Sequence, residues 1–203
     1  MKRKHLQSIV FFLLAWLCGI GNIQAQSSYY TLSNNNTVLT LYYDNNISSR
    51  DGQYFGRFVT QDYQKWKEYR ETITTVVIDE SFANNTNLES TAFWFYKCEN
   101  LKNIIGMKNL KTDNVWEIHN MFQDCKSLID IDLSGFNTSK VTDMSYLFSW
   151  CSNLTNLDLR NFDTSNVKSM NYMFTGCSNL TALDVSSFNT SNVLGMNCMF
   201  SSC

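Results

Sequence analysis

CSNLTNLDLRNFDTSNV occupies residues 151–167, and CSNLTALDVSSFNTSNV follows at 177–193. The two stretches share one register, 26 residues apart, and that register extends well beyond them. Segments 147–172 and 173–198 are identical at 15 of 26 positions, too many for coincidence. A catalytic site needs a few different groups converging once, so a recurring phrase points first to architecture.

Sliding the chain by 26 superposes whole columns of residues. Cys125, Cys151 and Cys177 fall together, followed by Cys203. So do Leu128, Leu154 and Leu180; Phe136, Phe162 and Phe188; and Met144, Met170 and Met196. An earlier copy carries one extra residue, with Phe95, Cys98, Leu101 and Ile104 set 27 before their counterparts. Within a copy, Leu157-Asp158-Leu159 alternates like a short strand. Val167, Met170, Phe174 and Cys177 follow the three-four-three spacing of one helical face. FDTSN between them reads as turn chemistry, with Thr164 or Ser165 placed to cap the helix.

The expectation is therefore an α/β fold, a leucine-rich-repeat-type solenoid with a short strand and a short helix per rung. One rung alone buries too few apolar side chains to offset the ordering of its backbone, so the unit must be stacked. Residues 75–203 would form the solenoid, its last rung incomplete. Residues 26–74 would supply a β-rich N-terminal cap, with YYTLS and TVLTLYYD as strands across the NNN turn and DYQKWKEYR as a short helix. The incomplete last rung points to a fragment of a longer protein.

Residues 1–25 read as a secretory signal peptide: basic MKRKHLQ, apolar IVFFLLAWLCGIG, and a small residue at Ala25. Trp16 and Leu17 before Cys18 argue against a lipoprotein signal. Removing Lys2, Arg3 and Lys4 leaves 13 basic against 18 acidic side chains, a net of −5. No basic run remains to follow a phosphate backbone, so nucleic acid is excluded as a partner class. The chain beyond residue 25 contains no transmembrane segment.

The phrase C-x-x-L-x-x-L-D-[LV]-S-x-F-[DN]-T-S-x-V-x-x-M-x-x-[ML]-F resembles the repeat of BspA-like leucine-rich repeat surface proteins. These occur on oral and gut bacteria and in related mycoplasma and protist proteins. The resemblance implies a bacterial, secreted or surface-displayed adhesion protein that binds extracellular proteins, such as host matrix or plasma glycoproteins, or other cells. The alternative is a structural spacer or truncated copy without binding activity of its own.

The candidate binding surface combines two features. Asp132, Asp158 and Asp184 form a column between inward-facing apolar residues, accompanied by the variable Asn156 and Arg160. Carboxylates stacked about 5 Å apart repel one another, so cations or hydrogen bonds from the turns should relieve them. Trp116 stands where other rungs carry Thr142, Lys168 and Leu194, and Trp150 where they carry Asp124, Gly176 and Ser202; the two indoles read as partner anchors or as folded onto their own rungs. The cysteine column reads as reduced, buried and structural. Beyond the leader His119 is the one histidine, in a slot read as exposed, and no catalytic or cofactor motif occurs. The chain reads as a binding protein, not an enzyme, with no cofactor and no metal.

Overall fold

The computed structural model describes residues 26–56 and 64–203. The expected leader and the start of DYQKWKEYR lie outside them. β1 (Ser27–Ser33) and β2 (Val38–Asp44) form an antiparallel hairpin rich in β-branched and aromatic residues. Its turn uses Asn34, Asn35 and Asn36 at φ of 51°, 55° and 63°, a left-handed conformation that asparagine tolerates. β3 (Gln53–Tyr54) pairs with β1 antiparallel. β4 (Thr75–Ile78) joins β2 in parallel, and β5 (Asn103–Ile105) joins β4. The result is an open, mixed sheet in the order β3-β1-β2-β4-β5.

This overturns the expected fold class. Among the described residues there is no α-helix, and beyond β5 no rung contributes a strand. Of DYQKWKEYR, the described part forms only a 3-10 turn at Lys67–Tyr69. The copies do stack, but as coils of turns. They are joined by isolated parallel bridges running Ser90–Glu117–Asp143–Ser169–Gly195.

Backbone hydrogen bonding explains why the three-four-three spacing gives no helix. In one rung the N–H groups of Asn120, Phe122 and Asp124 donate to Ser145, Leu147 and Ser149 of the next rung, at 3.0, 3.0 and 2.8 Å. The intervening N–H groups of Met121, Gln123 and Cys125 close turns within their own rung. Donors therefore alternate between neighbour and self, whereas a helix would keep them all. Two columns of left-handed residues enforce the alternation: Phe93, Asn120, Tyr146, Tyr172 and Cys198, and then Lys97, Asp124, Trp150, Gly176 and Ser202. Each non-glycine member carries a conformational cost of order 1–2 kcal/mol, offset in Phe93, Lys97, Asn120, Asp124, Tyr146, Trp150 and Tyr172 by the inter-rung bond its N–H makes.

The Asp column explains the missing strands. Asp132, Asp158 and Asp184 each accept the backbone N–H two residues on, from Ser134, Arg160 and Ser186. A carboxylate that captures a local N–H bends the chain out of a ladder. In β5 the equivalent position is Ile105, and there the strand forms. Thr164 caps no helix either. Its buried hydroxyl accepts the Asn189 N–H (2.7 Å) and donates to the Asn189 carbonyl (3.0 Å), joining one rung to the next.

The core runs the length of the stack. Phe95, Phe122, Phe148, Phe174 and Phe200 lie in a file with centroids 5.4–5.9 Å apart. Cys125, Cys151, Cys177, Leu128, Leu154, Phe136, Phe162, Met144 and Met170 are buried. Leu180 and Phe188 are half-buried and Met196 is exposed, since among the described residues no rung lies over that end. At the other end Trp94 packs edge-on against Phe55 and Phe82, and its carbonyl accepts the Trp66 indole N–H (2.8 Å) and the Gln64 amide (2.6 Å). That carbonyl is one that a preceding rung would otherwise bond.

The described cysteines are free thiols. Cys125, Cys151, Cys177 and Cys203 each donate to a phenylalanine carbonyl of the preceding rung, at 3.1–3.2 Å. Burial pushes the Cys98 and Cys177 thiols up to about 12, and those of Cys125 and Cys151 well above the ordinary range. At pH 8 the native protein should therefore take up iodoacetamide at exposed Cys198 and Cys203 only, among the described cysteines. Peptide mass spectrometry reads this directly, and rapid native labelling of Cys151 contradicts it.

Candidate binding surfaces

Where the strands are missing, the rungs part. Residues 130–134 and 156–161 flank an open groove of about 680 Å³, lined by Asp130, Asp132, Asn156, Asp158 and Arg160. It continues over the next rung, between Asn156–Arg160 and residues 182–184, as a second opening of about 670 Å³ that includes Asp184. At one margin the Thr155 N–H reaches the Ile129 carbonyl (3.0 Å). At the other, the Asn161 amide reaches the Leu133 and Phe136 carbonyls (3.0 and 2.9 Å). Between these margins no main-chain hydrogen bond joins the two described rungs.

The groove's charge is predominantly negative, with Asp130, Asp132, Asp158 and Asp184 set against Arg160. The repulsion foreseen for the Asp column is relieved by hydrogen bonds within the turns. Ser134 gives Asp132 both its N–H (3.0 Å) and its hydroxyl (2.6 Å), and holds that carboxyl below its usual range. Ser186 does the same for Asp184. Arg160 grips Asp158 with Nε at 2.9 Å and Nη2 at 2.6 Å, lowering its carboxyl to about 2. Both side chains are exposed, so the pair fixes shape more than it adds stability.

A titration tests that grip. In Arg160→Ala the Asp158 carboxyl should titrate above about 2, moving towards the ordinary aspartate value of ~4, because the two side-chain bonds favouring its charged form are gone while the backbone N–H of residue 160 remains. Carbon-detected NMR of the side chain follows the midpoint. A midpoint unchanged from about 2 would mean that the backbone N–H alone sets it.

Of the seven residues singled out in the sequence, the groove gathers Asp132, Asn156, Asp158, Arg160 and Asp184. Trp116 and Trp150 lie apart from it. Trp116 is half-buried. Trp150 is 47% exposed and rests on the next rung, against Gly176, not on its own. His119 is half-buried, in contrast to the exposed slot expected. Its ring meets Phe93 edge-on at 5.0 Å, and Nδ1 lies 4.0 Å from an Asp143 carboxylate oxygen. Asp130 and Ile131 line the groove without having been singled out. Asp130 stands 26 before Asn156, so its column was the available signal.

A family model described as "Mycoplasma protein of unknown function, DUF285" matches the chain twice, over residues 59–168 and 86–203. The two matches start 27 residues apart, one rung, and together they cover the stack of coils. No curated protein and no solved structure matches the chain.

Proposed function

Because the chain belongs to the DUF285 family, whose description gives no activity, we propose its function from its surface: an exported binding protein whose groove takes up segments of extracellular proteins. The observation that carries this reading is the groove itself, which collects Asp132, Asn156, Asp158, Arg160 and Asp184 along successive rungs. Such a surface varies while the frame beneath it stays constant, a pattern suited to recognition. Its carboxylates outnumber its one guanidinium, which favours basic stretches of a partner. Ile131 in the groove's lining and exposed Ile129 at its margin supply apolar contact beside the charges. The leader-like first 25 residues and the resemblance of the repeat to BspA-like surface proteins support a place outside the cell. Binding, and not catalysis, is the activity proposed.

The test is binding of the purified protein to immobilised fibronectin, fibrinogen and a panel of other extracellular proteins at several salt concentrations. Saturable binding is expected, weakening as salt rises. The triple variant Asp132→Asn, Asp158→Asn, Asp184→Asn keeps the turn acceptors and removes three charges. It should bind at least about tenfold more weakly. Failure to bind any member of a broad panel defeats the reading.

A further inference from the structure

Trp150 presents a second surface that shares no residue with the groove. Its backbone is left-handed, with φ 60°, and the next residue in its column is Gly176, also left-handed at φ 74°. A Cβ at Gly176 would come within 2.6 and 2.7 Å of indole atoms Cε3 and Cδ2. The indole therefore occupies the space where the next rung has no side chain. It is held against the Gly176 backbone while 47% of the residue stays exposed. In the other left-handed column, four residues before, Tyr146 and Tyr172 stack with centroids 4.7 Å apart and planes 9° from parallel.

The rung on the other side of Trp150 is polar. Asn120 donates to the Gln123 side-chain carbonyl, and Gln123 donates to the Asp124 carboxylate (3.3 Å). The Asp124 N–H reaches the Ser149 carbonyl (2.8 Å), which places Asp124 directly beside Trp150 in its column. The charges around Asp124 balance, since Lys97 and Lys126 face Asp124 and Glu99, and Lys126 pairs with Glu99 at 3.0 Å. A rigid aromatic plate next to amides and a carboxylate, without net charge, has little to attract a cation or an anion. It matches a molecule with an apolar C–H face and hydroxyls around its rim.

We propose that Trp150 is the platform of a binding site for neutral sugar chains, with a hexose ring lying on the indole and its hydroxyls meeting Asn120, Gln123 and Asp124. Aromatic side chains suit this role because they give a large apolar contact area at little entropic cost. Gly176 is a positioning residue, since any side chain there displaces the plate.

Affinity electrophoresis of the purified protein in native gels containing a neutral glucan, mannan or galactan tests the site. Retardation by at least one polymer is expected. Trp150→Ala should weaken it by at least about tenfold, the effect typical of a buried aromatic anchor. Gly176→Val should weaken it comparably, and the triple aspartate variant of the groove should be retarded like the wild type. Trp150→Phe retains a smaller plate and should fall between, which covers failure of the alanine variant to fold. Absence of retardation on every polymer, or undiminished retardation of both Trp150 variants, overturns the proposal. Neither result bears on protein binding by the groove.

Discussion

Replacing Phe148 by alanine is expected to lower stability by about 3–5 kcal/mol, the range for truncating a buried aromatic ring. Phe148 is fully buried and lies between Phe122 at 5.6 Å and Phe174 at 5.9 Å, with planes within 2° and 6° of parallel. Removing its ring leaves a gap that neither neighbour can fill, because each is pinned by its own rung's bonds to the next. The loss also falls in mid-stack, where it weakens two interfaces at once. Phe200→Ala makes the same chemical change at the end of the file, where the ring is 51% exposed and has one neighbour. It should cost roughly 1 kcal/mol. Urea denaturation of the two variants against the wild type decides the matter. Equal losses would mean that the file of rings is not the spine of the stack.

The period was legible because stacking places like residues on like: the Cys, Leu, Phe and Met columns announce which side chains must share an interior. The path of the chain within each rung was not. Apolar residues spaced three, four and three apart satisfy a helical face, and they equally satisfy a coil whose donors alternate between its own turns and its neighbour. The distinguishing signal lay in two other columns. Asn120 in one, and Asp124 and Gly176 in the other, are residue types that accept positive φ. A helix has no reason to place them four apart in register. Leu157-Asp158-Leu159 misled in a similar way, since alternation suits a strand while the aspartate between the leucines recruits the Arg160 N–H and ends it. The groove could be found from sequence because its residues share the outward columns of that segment. Its depth could not, for it exists only because the strands fail to pair. The two tryptophans show the limit of reading exposure alone, which says that a side chain meets solvent but not on which flank.

The buried threonines offer the sharpest test of how one rung holds the next. Thr138 is 1% exposed. Its hydroxyl accepts the Asp163 N–H at 2.8 Å and donates to the Asp163 carbonyl at 3.0 Å. Thr112 makes the equivalent acceptance from the Asn137 N–H, and Thr164 both bonds to Asn189. Thr138→Val preserves volume and branching but leaves both Asp163 groups without that partner. Asp163 itself is exposed and both bonds are part-buried, so water can partly replace the hydroxyl; at about 0.5–1.5 kcal/mol per bond, a loss of roughly 1–3 kcal/mol is expected for the pair. Thr138→Ser keeps the hydroxyl and removes one methyl, for a loss of about 1 kcal/mol. Hydrogen exchange at the Asp163 amide should quicken in the valine variant and stay slow in the serine variant. If serine proves as damaging as valine, the contribution of Thr138 is packing, and the rungs are fastened by their apolar columns and the bonds of the left-handed turns instead.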